Sequence, residues 1–178
     1  MRDPKDVLNN WETIKITRPD QAEKVAQLCL KYKDRFAQVA DAFKCPWWVI
    51  AAIHYRESDF DFNTWLANGD PLFHLGVPVK THHVPKGLGP AINWVEGAAL
   101  SLKHEGWKPG MDWDIVNALL HLEAYNGWGY LSHGNSPYIW AGTNHYTIGK
   151  YSSDGVYSPY MVDSQLGCAA IAKALSQP

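Results

Sequence analysis

The run Trp47-Trp48-Val49-Ile50-Ala51-Ala52-Ile53 leaves a helix no polar face. A helix that is apolar all round has to be buried. Whatever this chain folds into is therefore built around residues 47–58. Pro46 stands where a helix can open, and His54, Tyr55, Arg56, Glu57 and Ser58 carry the segment to a polar end. Ile50, Ile53 and Glu57 are spaced three and four apart, so they share one face. A carboxyl on an apolar face must be paired, protonated or functional. Burial disfavours its charged form, and the negative end of the helix dipole pushes the same way. A carboxylic acid that keeps its proton near neutral pH can serve as a general acid. The plain alternative is a frayed helix end with Glu57 in water beside Arg56.

The flanking segments read as a helical protein with one small β element. From Thr17 to Phe43 the apolar positions Ala22, Val25, Ala26, Cys29, Tyr32, Phe36, Val39, Ala40 and Phe43 hold helical spacing. This predicts one long helix or two end to end, with Thr17 and Asp20 as a capping box and Pro19 in the first turn. Residues 61–90 are punctuated by Gly69, Pro71, Gly76, Pro78, Pro85, Gly87, Gly89 and Pro90. Two or three short strands in a small hairpin fit there. Pro90 is expected to open a helix with Ile92, Val95, Ala99 and Leu102 on one face. Further helices are expected at 113–126 and at roughly 159–175. The class is α+β, mostly α. The organisation expected is one catalytic domain over 1–178, with residues 1–43 as an N-terminal helical part packed on it.

Composition narrows the partners. Net charge is −2, with Lys and Arg interspersed among Asp and Glu, which argues against nucleic acid. No apolar run reaches the roughly 18 residues of a membrane span. The start MRDPKDVLNNW has no apolar core of a signal peptide, so the chain is expected to stay in the cytoplasm of its producer until released. Cys29, Cys45 and Cys168 are odd in number and far apart, so they read as reduced, small apolar residues. No cofactor is called for, and a monomer is expected. With 9 Trp, 9 Tyr and 5 Phe, the chain can either fill its core with rings or line a groove that stacks on sugars.

Two motifs carry a resemblance. IHYRESDFDF is similar to the Glu-Ser-x-Phe signature that ends the catalytic helix of soluble lytic transglycosylases and goose-type lysozymes. HLEAYNGWG resembles the later Ala-Tyr-Asn-x-Gly motif of that group, here Ala124, Tyr125, Asn126 and Gly127 or Gly129. NTWLANGDPL and DGVYSPYMVDSQLG look like phage and prophage lysozymes. The likeness covers about residues 46–175, and the order of the motifs agrees. The Gly-Leu-Met-Gln of transglycosylases is absent, so the product end stays open between muramidase and lytic transglycosylase. The resemblance implies a lysozyme-like fold and cleavage of the peptidoglycan glycan strand after N-acetylmuramic acid. It also implies an endolysin-type exit through a holin.

On that resemblance Glu57 is the general acid. Ser58, Tyr125 and Asn126 lie near the sugar, and His54, three residues before Glu57, lines the cleft. The second carboxylate is Asp59, Asp61 or Asp70, of which Asp70 is the leading candidate. A hairpin could fold it across from Glu57. A carboxyl gap of ~6.5–9.5 Å suits inversion and about 5–5.5 Å retention. A third route needs no second carboxylate, because the substrate's own N-acetyl group or C6 hydroxyl attacks. Two other readings compete. His74, His82 and His83 could join Asp70 in the zinc site of an amidase or peptidase, although HExxH is absent. A non-catalytic wall-binding module of a phage particle is the other.

Overall fold

The computed structural model of the chain describes residues 1–153 and 155–176. Its helices are α1 (Pro4–Glu12), α2 (Pro19–Lys31), α3 (Lys33–Phe43), α4 (Trp47–Ser58), α5 (Trp94–His104), α6 (Ile115–Asn126), α7 (Pro137–Trp140) and α8 (Cys168–Leu175). Two antiparallel hairpins accompany them. One pairs β1 (Phe73–His74) with β2 (Val77–Pro78), the other β3 (Lys150–Ser153) with β4 (Val156–Ser158). The class is α+β and mostly α, as expected. No helix among the described residues is long and apolar enough to cross a membrane.

The chain divides into two compact units, Met1–Lys31 with Asp112–Pro178, and Tyr32–Met111. The stretch 1–43 is therefore shared between them. The break falls at Tyr32 (φ −105, ψ 12), so the amphipathic stretch is two helices end to end.

In the unit Tyr32–Met111, α3 packs on α4 and on α5. Lys44, left-handed at φ 57, ends α3, and extended Pro46 opens α4. Every residue of α4 from Val49 to Tyr55 is buried, as its all-round apolar character requires. Phe36 meets His54 and Trp94 edge-on, each at 5.8 Å. Trp65, Leu66, Leu72 and Leu102 complete this core.

The α5 boundary differs from expectation. Asn93 Oδ1 accepts the Glu96 N–H at 3.0 Å, and the Glu96 carboxylate accepts the Ile92 N–H at 2.8 Å. This reciprocal cap starts the helix at Trp94 rather than at Pro90. Ile92 lies outside it and is 75% exposed, while Trp94, Gly97, Ala98, Ser101 and Leu102 form the buried face.

In the other unit α1 packs on α6, α2 on α8, and α7 on both α6 and α8. The Asp114 side chain caps α6 by accepting the Asn117 N–H at 2.8 Å. The last helix starts at Cys168, not near 159. Residues before it spend their backbone groups elsewhere: Met161 O accepts the Gly149 N–H at 2.8 Å, and the Asp163 N–H donates to the Tyr146 hydroxyl at 3.0 Å. Expected helical Val162 is exposed as a result.

Candidate functional site

Glu57 stands in the last turn of α4, and its position is half-buried. The residues after it turn the chain sharply. Asp59 (φ 49) and Phe60 (φ 65) are both left-handed. The Asp59 N–H donates to Tyr55 O at 3.1 Å and the Phe60 N–H to His54 O at 3.4 Å. The first of these is the 5→1 bond of an αL ending. Phe60 seals it, buried with its ring 5.6 Å from that of Tyr55. Half-buried Ser58 donates its hydroxyl back to His54 O at 3.3 Å. In this chain Ser-x-Phe thus works as a helix stop that fixes where Glu57 leaves the helix.

The turn 65–70 lies against that end of α4. Gly69 (φ +74) donates its N–H to Trp65 O at 2.9 Å, and Trp65 donates its own to Asp70 O at 2.7 Å. A Cβ at Gly69 would come 3.0 Å from the Glu57 carbonyl oxygen. The backbone beside Asp70 is thereby brought to Glu57, but the Asp70 side chain is committed elsewhere. It is 5% exposed. Its Oδ2 accepts the amides of His82 and His83 at 2.8 and 2.9 Å, and its Oδ1 lies 2.5 Å from His83 Nδ1. Burial pushes its carboxyl up, but the His83 amide and ring and the His82 amide outweigh it. The carboxyl stays below its ordinary 3.8. The expected catalytic Asp70 is thus a tie between two loops, with both oxygens occupied.

His54 also departs from expectation. It does not line a groove: it is 0% exposed, with its ring 4.5 Å from Phe62 and 4.6 Å from Trp94. Nε2 lies 3.1 Å from Asp61 O, so the neutral ring donates there. Nδ1 is buried without a hydrogen-bond partner. Burial drives its pKa from 6.5 to about 4, against the opposing pull of the Asp61 carbonyl and charge. The helical spacing that put His54 near Glu57 also put it on the α3 and α5 side of a helix buried all round.

The remaining carboxylates are plain. Asp59 is exposed. Asp61 Oδ1 accepts the Asn63 amide N–H at 2.9 Å and its side-chain N–H at 3.0 Å, closing its own turn. Of the four residues considered for zinc, Asp70 and His83 meet, but no group of three or more His, Cys, Asp or Glu side chains that could hold a metal occurs among the described residues. Burial pushes the Cys29 and Cys45 thiols up to about 12, which removes them as nucleophiles at neutral pH.

Tyr125 and Asn126 belong to the other unit. Tyr125 is half-buried and Asn126, the last residue of α6, is exposed. Gly127 (φ 92) ends the helix, its N–H donating to Ala124 O at 3.0 Å. Sequence reasoning passed over Glu123, which is 2% exposed. Arg2 holds it with Nε at 3.0 and 2.9 Å from the two oxygens and Nη2 at 2.8 Å from Oε1. A charge inside the apolar run ALLHLEA was the signal; its partner, 121 positions away, left none. Of the tryptophans, Trp65, Trp94, Trp107 and Trp140 fill the core and Trp128 is exposed.

Comparison of the chain with protein families, with curated proteins and with solved structures found no match.

Proposed function

We propose that the chain cleaves the glycan strand of peptidoglycan at the β-1,4 bond after N-acetylmuramic acid, with Glu57 as the proton donor. One observation carries this reading. The Glu-Ser-x-Phe segment forms a rigid stop on a buried helix, and this sets Glu57 at the boundary between an apolar interior and solvent. A carboxylic acid so placed can hold its proton until a leaving oxygen takes it.

The surrounding carboxylates favour the route that needs Glu57 alone. Asp61 and Asp70 have oxygens engaged by backbone amides. In that route Glu57 gives its proton to the departing O4 as the C1–O4 bond breaks. The C6 hydroxyl of the muramoyl ring bonds to C1 and returns its proton to Glu57, leaving a 1,6-anhydro end. Where water takes the place of that hydroxyl, the same carboxylate accepts the water proton and a reducing end forms.

The test is Glu57→Gln, assayed by clearing of purified peptidoglycan and by mass spectrometry of the released fragments. Clearing should fall about a hundredfold or more with the unfolding midpoint kept. Clearing at the parent rate, or fragments cut at amide bonds, overturns the reading.

A further inference from the structure

Between Asp70 and Glu96 the chain holds Lys80, Lys86, His74, His82 and His83 and no carboxylate, although its net charge is −2. The same segment holds Leu75 and Val84, which are 91% and 85% exposed, and exposed Val77. The proposed cleavage uses none of these side chains.

The two apolar tips stand on ordered loops. Leu75 turns the β1–β2 hairpin at φ 50, a left-handed conformation that a leucine resists. Phe73 pairs with Pro78 and His74 with Val77, and the second pair is the exposed one, so His74 and Val77 share the outer face. The Val79 N–H donates to Leu72 O at 2.9 Å. Val84 heads the loop 81–88, which is organised by buried Thr81. The Thr81 N–H donates to Leu88 O at 3.0 Å, and its carbonyl accepts the Gly87 N–H at 2.9 Å. Its hydroxyl accepts the Leu88 N–H at 3.0 Å and donates to Pro85 O. Asn68 donates its side-chain N–H to Val84 O at 3.2 Å, and the Asp70 carboxylate holds the His82 and His83 amides. Both loops are thus fastened to one stretch, residues 68–72. Leu75 and Val84 themselves bury almost nothing, so folding gains little from their side chains.

We propose that these two loops dock the protein on an anionic lipid bilayer, with Leu75, Val77 and Val84 entering the interface and Lys80 and Lys86 at the headgroup phosphates. The chemistry favours a bilayer over a protein partner. A stable protein interface needs on the order of 1,000 Å² of matched surface, and separate prongs on two turns offer no such face. A bilayer takes each prong by itself, while lysines beside the prongs meet phosphates. The lack of any acid between Asp70 and Glu96 sets the sign of the lipid.

The test is sedimentation of the full chain with vesicles of phosphatidylglycerol and phosphatidylcholine in equal parts, and with vesicles of phosphatidylcholine alone. The chain should bind the mixed vesicles about tenfold or more tighter. Leu75→Ser with Val84→Ser should weaken that binding about tenfold or more, because the prongs lose their apolar burial. Lys80→Gln with Lys86→Gln should weaken it about tenfold or more by removing charge at the phosphates. All four side chains are exposed, so both double variants should keep the parent unfolding midpoint. No binding to the mixed vesicles, or equal binding to both kinds, overturns the proposal. So does binding that the lysine pair leaves untouched. Binding that survives the serine pair overturns it as well, since contact by charge alone, as with a soluble polyphosphate, would behave that way. A parent chain that sediments as a dimer without lipid, and as a monomer once the serine pair is introduced, gives the surface to a second copy and overturns the bilayer. Vesicles contain no glycan, so the result is independent of clearing by Glu57→Gln, and either proposal can fail without the other.

Discussion

Gly69 presses on the carbonyl oxygen of Glu57 so closely that a methyl group on its α-carbon would sit 3.0 Å away. Its φ of +74 adds a backbone conformation that side chains resist. Gly69→Ala should therefore cost about 1–3 kcal/mol, read as a lowered denaturation midpoint. Because the strain falls on the last turn of α4, clearing of peptidoglycan should drop further than the loss of folded protein explains.

Asp70→Asn tests the loop tie. The variant keeps the shape but loses the charge that accepts two amides and the His83 ring. Stability at pH 7 should fall by about 1–3 kcal/mol. The folded carboxyl lies below 3.8, so the parent's advantage is full above that value and fades as pH drops through it toward the folded value. Midpoints of parent and variant should converge as pH falls below 3.8. A constant gap over that range would contradict the assigned hydrogen bonds.

His54 adds a second acid sensitivity of the same sign, set at higher pH. It is neutral in the fold down to about pH 4, while the unfolded ring gains a proton near 6.5. Between those values the unfolded state binds more protons, so stability falls as pH drops and levels off below about 4. A difference of that size corresponds to a loss on the order of 3 kcal/mol. His54→Phe should flatten this segment of the stability profile. Unchanged steepness would show that another group is responsible.

Arg2→Met should cost about 3–5 kcal/mol, because it strands the Glu123 carboxylate in the core. The double variant Arg2→Met with Glu123→Met should recover most of that loss. Thermal unfolding of the parent, the single variant and the double variant settles it. A double variant no better than the single one would mean that the side chains matter for shape, not charge.

The helices were legible wherever one residue type dominated the outcome. The apolar ring of 47–53 announced a buried helix, and Pro46 marked its start. The stretch 113–126 and the α2–α3 pair were equally clear. Boundaries set by tertiary hydrogen bonds were not. The reciprocal cap of Asn93 and Glu96 moved α5 past Pro90, and the Tyr146 hydroxyl held residues before Cys168 out of a helix. The small pieces α1, α7 and β3–β4 lacked any run long enough to announce them. At the candidate site, the position of Glu57 in the last turn of a buried helix was readable because Pro46 and the apolar run fix that helix. Asp70 and His54 were misread because spacing says nothing about which loop a carboxylate will tie or which side of an all-apolar helix is open.

The unit that contains Arg2 and Glu123 is assembled from two ends of the chain, with Tyr32–Met111 inserted between them. On a ribosome, Tyr32–Met111 is complete before Glu123 has been made. Arg2 has to wait for a partner 121 positions downstream. Folding of the segment before Tyr32 is therefore deferred until the residues after Met111 have been made, and domains that fold as units during translation impose this order. The apolar faces of α1 and α2 stay uncovered in the interval, which makes the nascent N-terminal helices the part of this protein most in need of a chaperone.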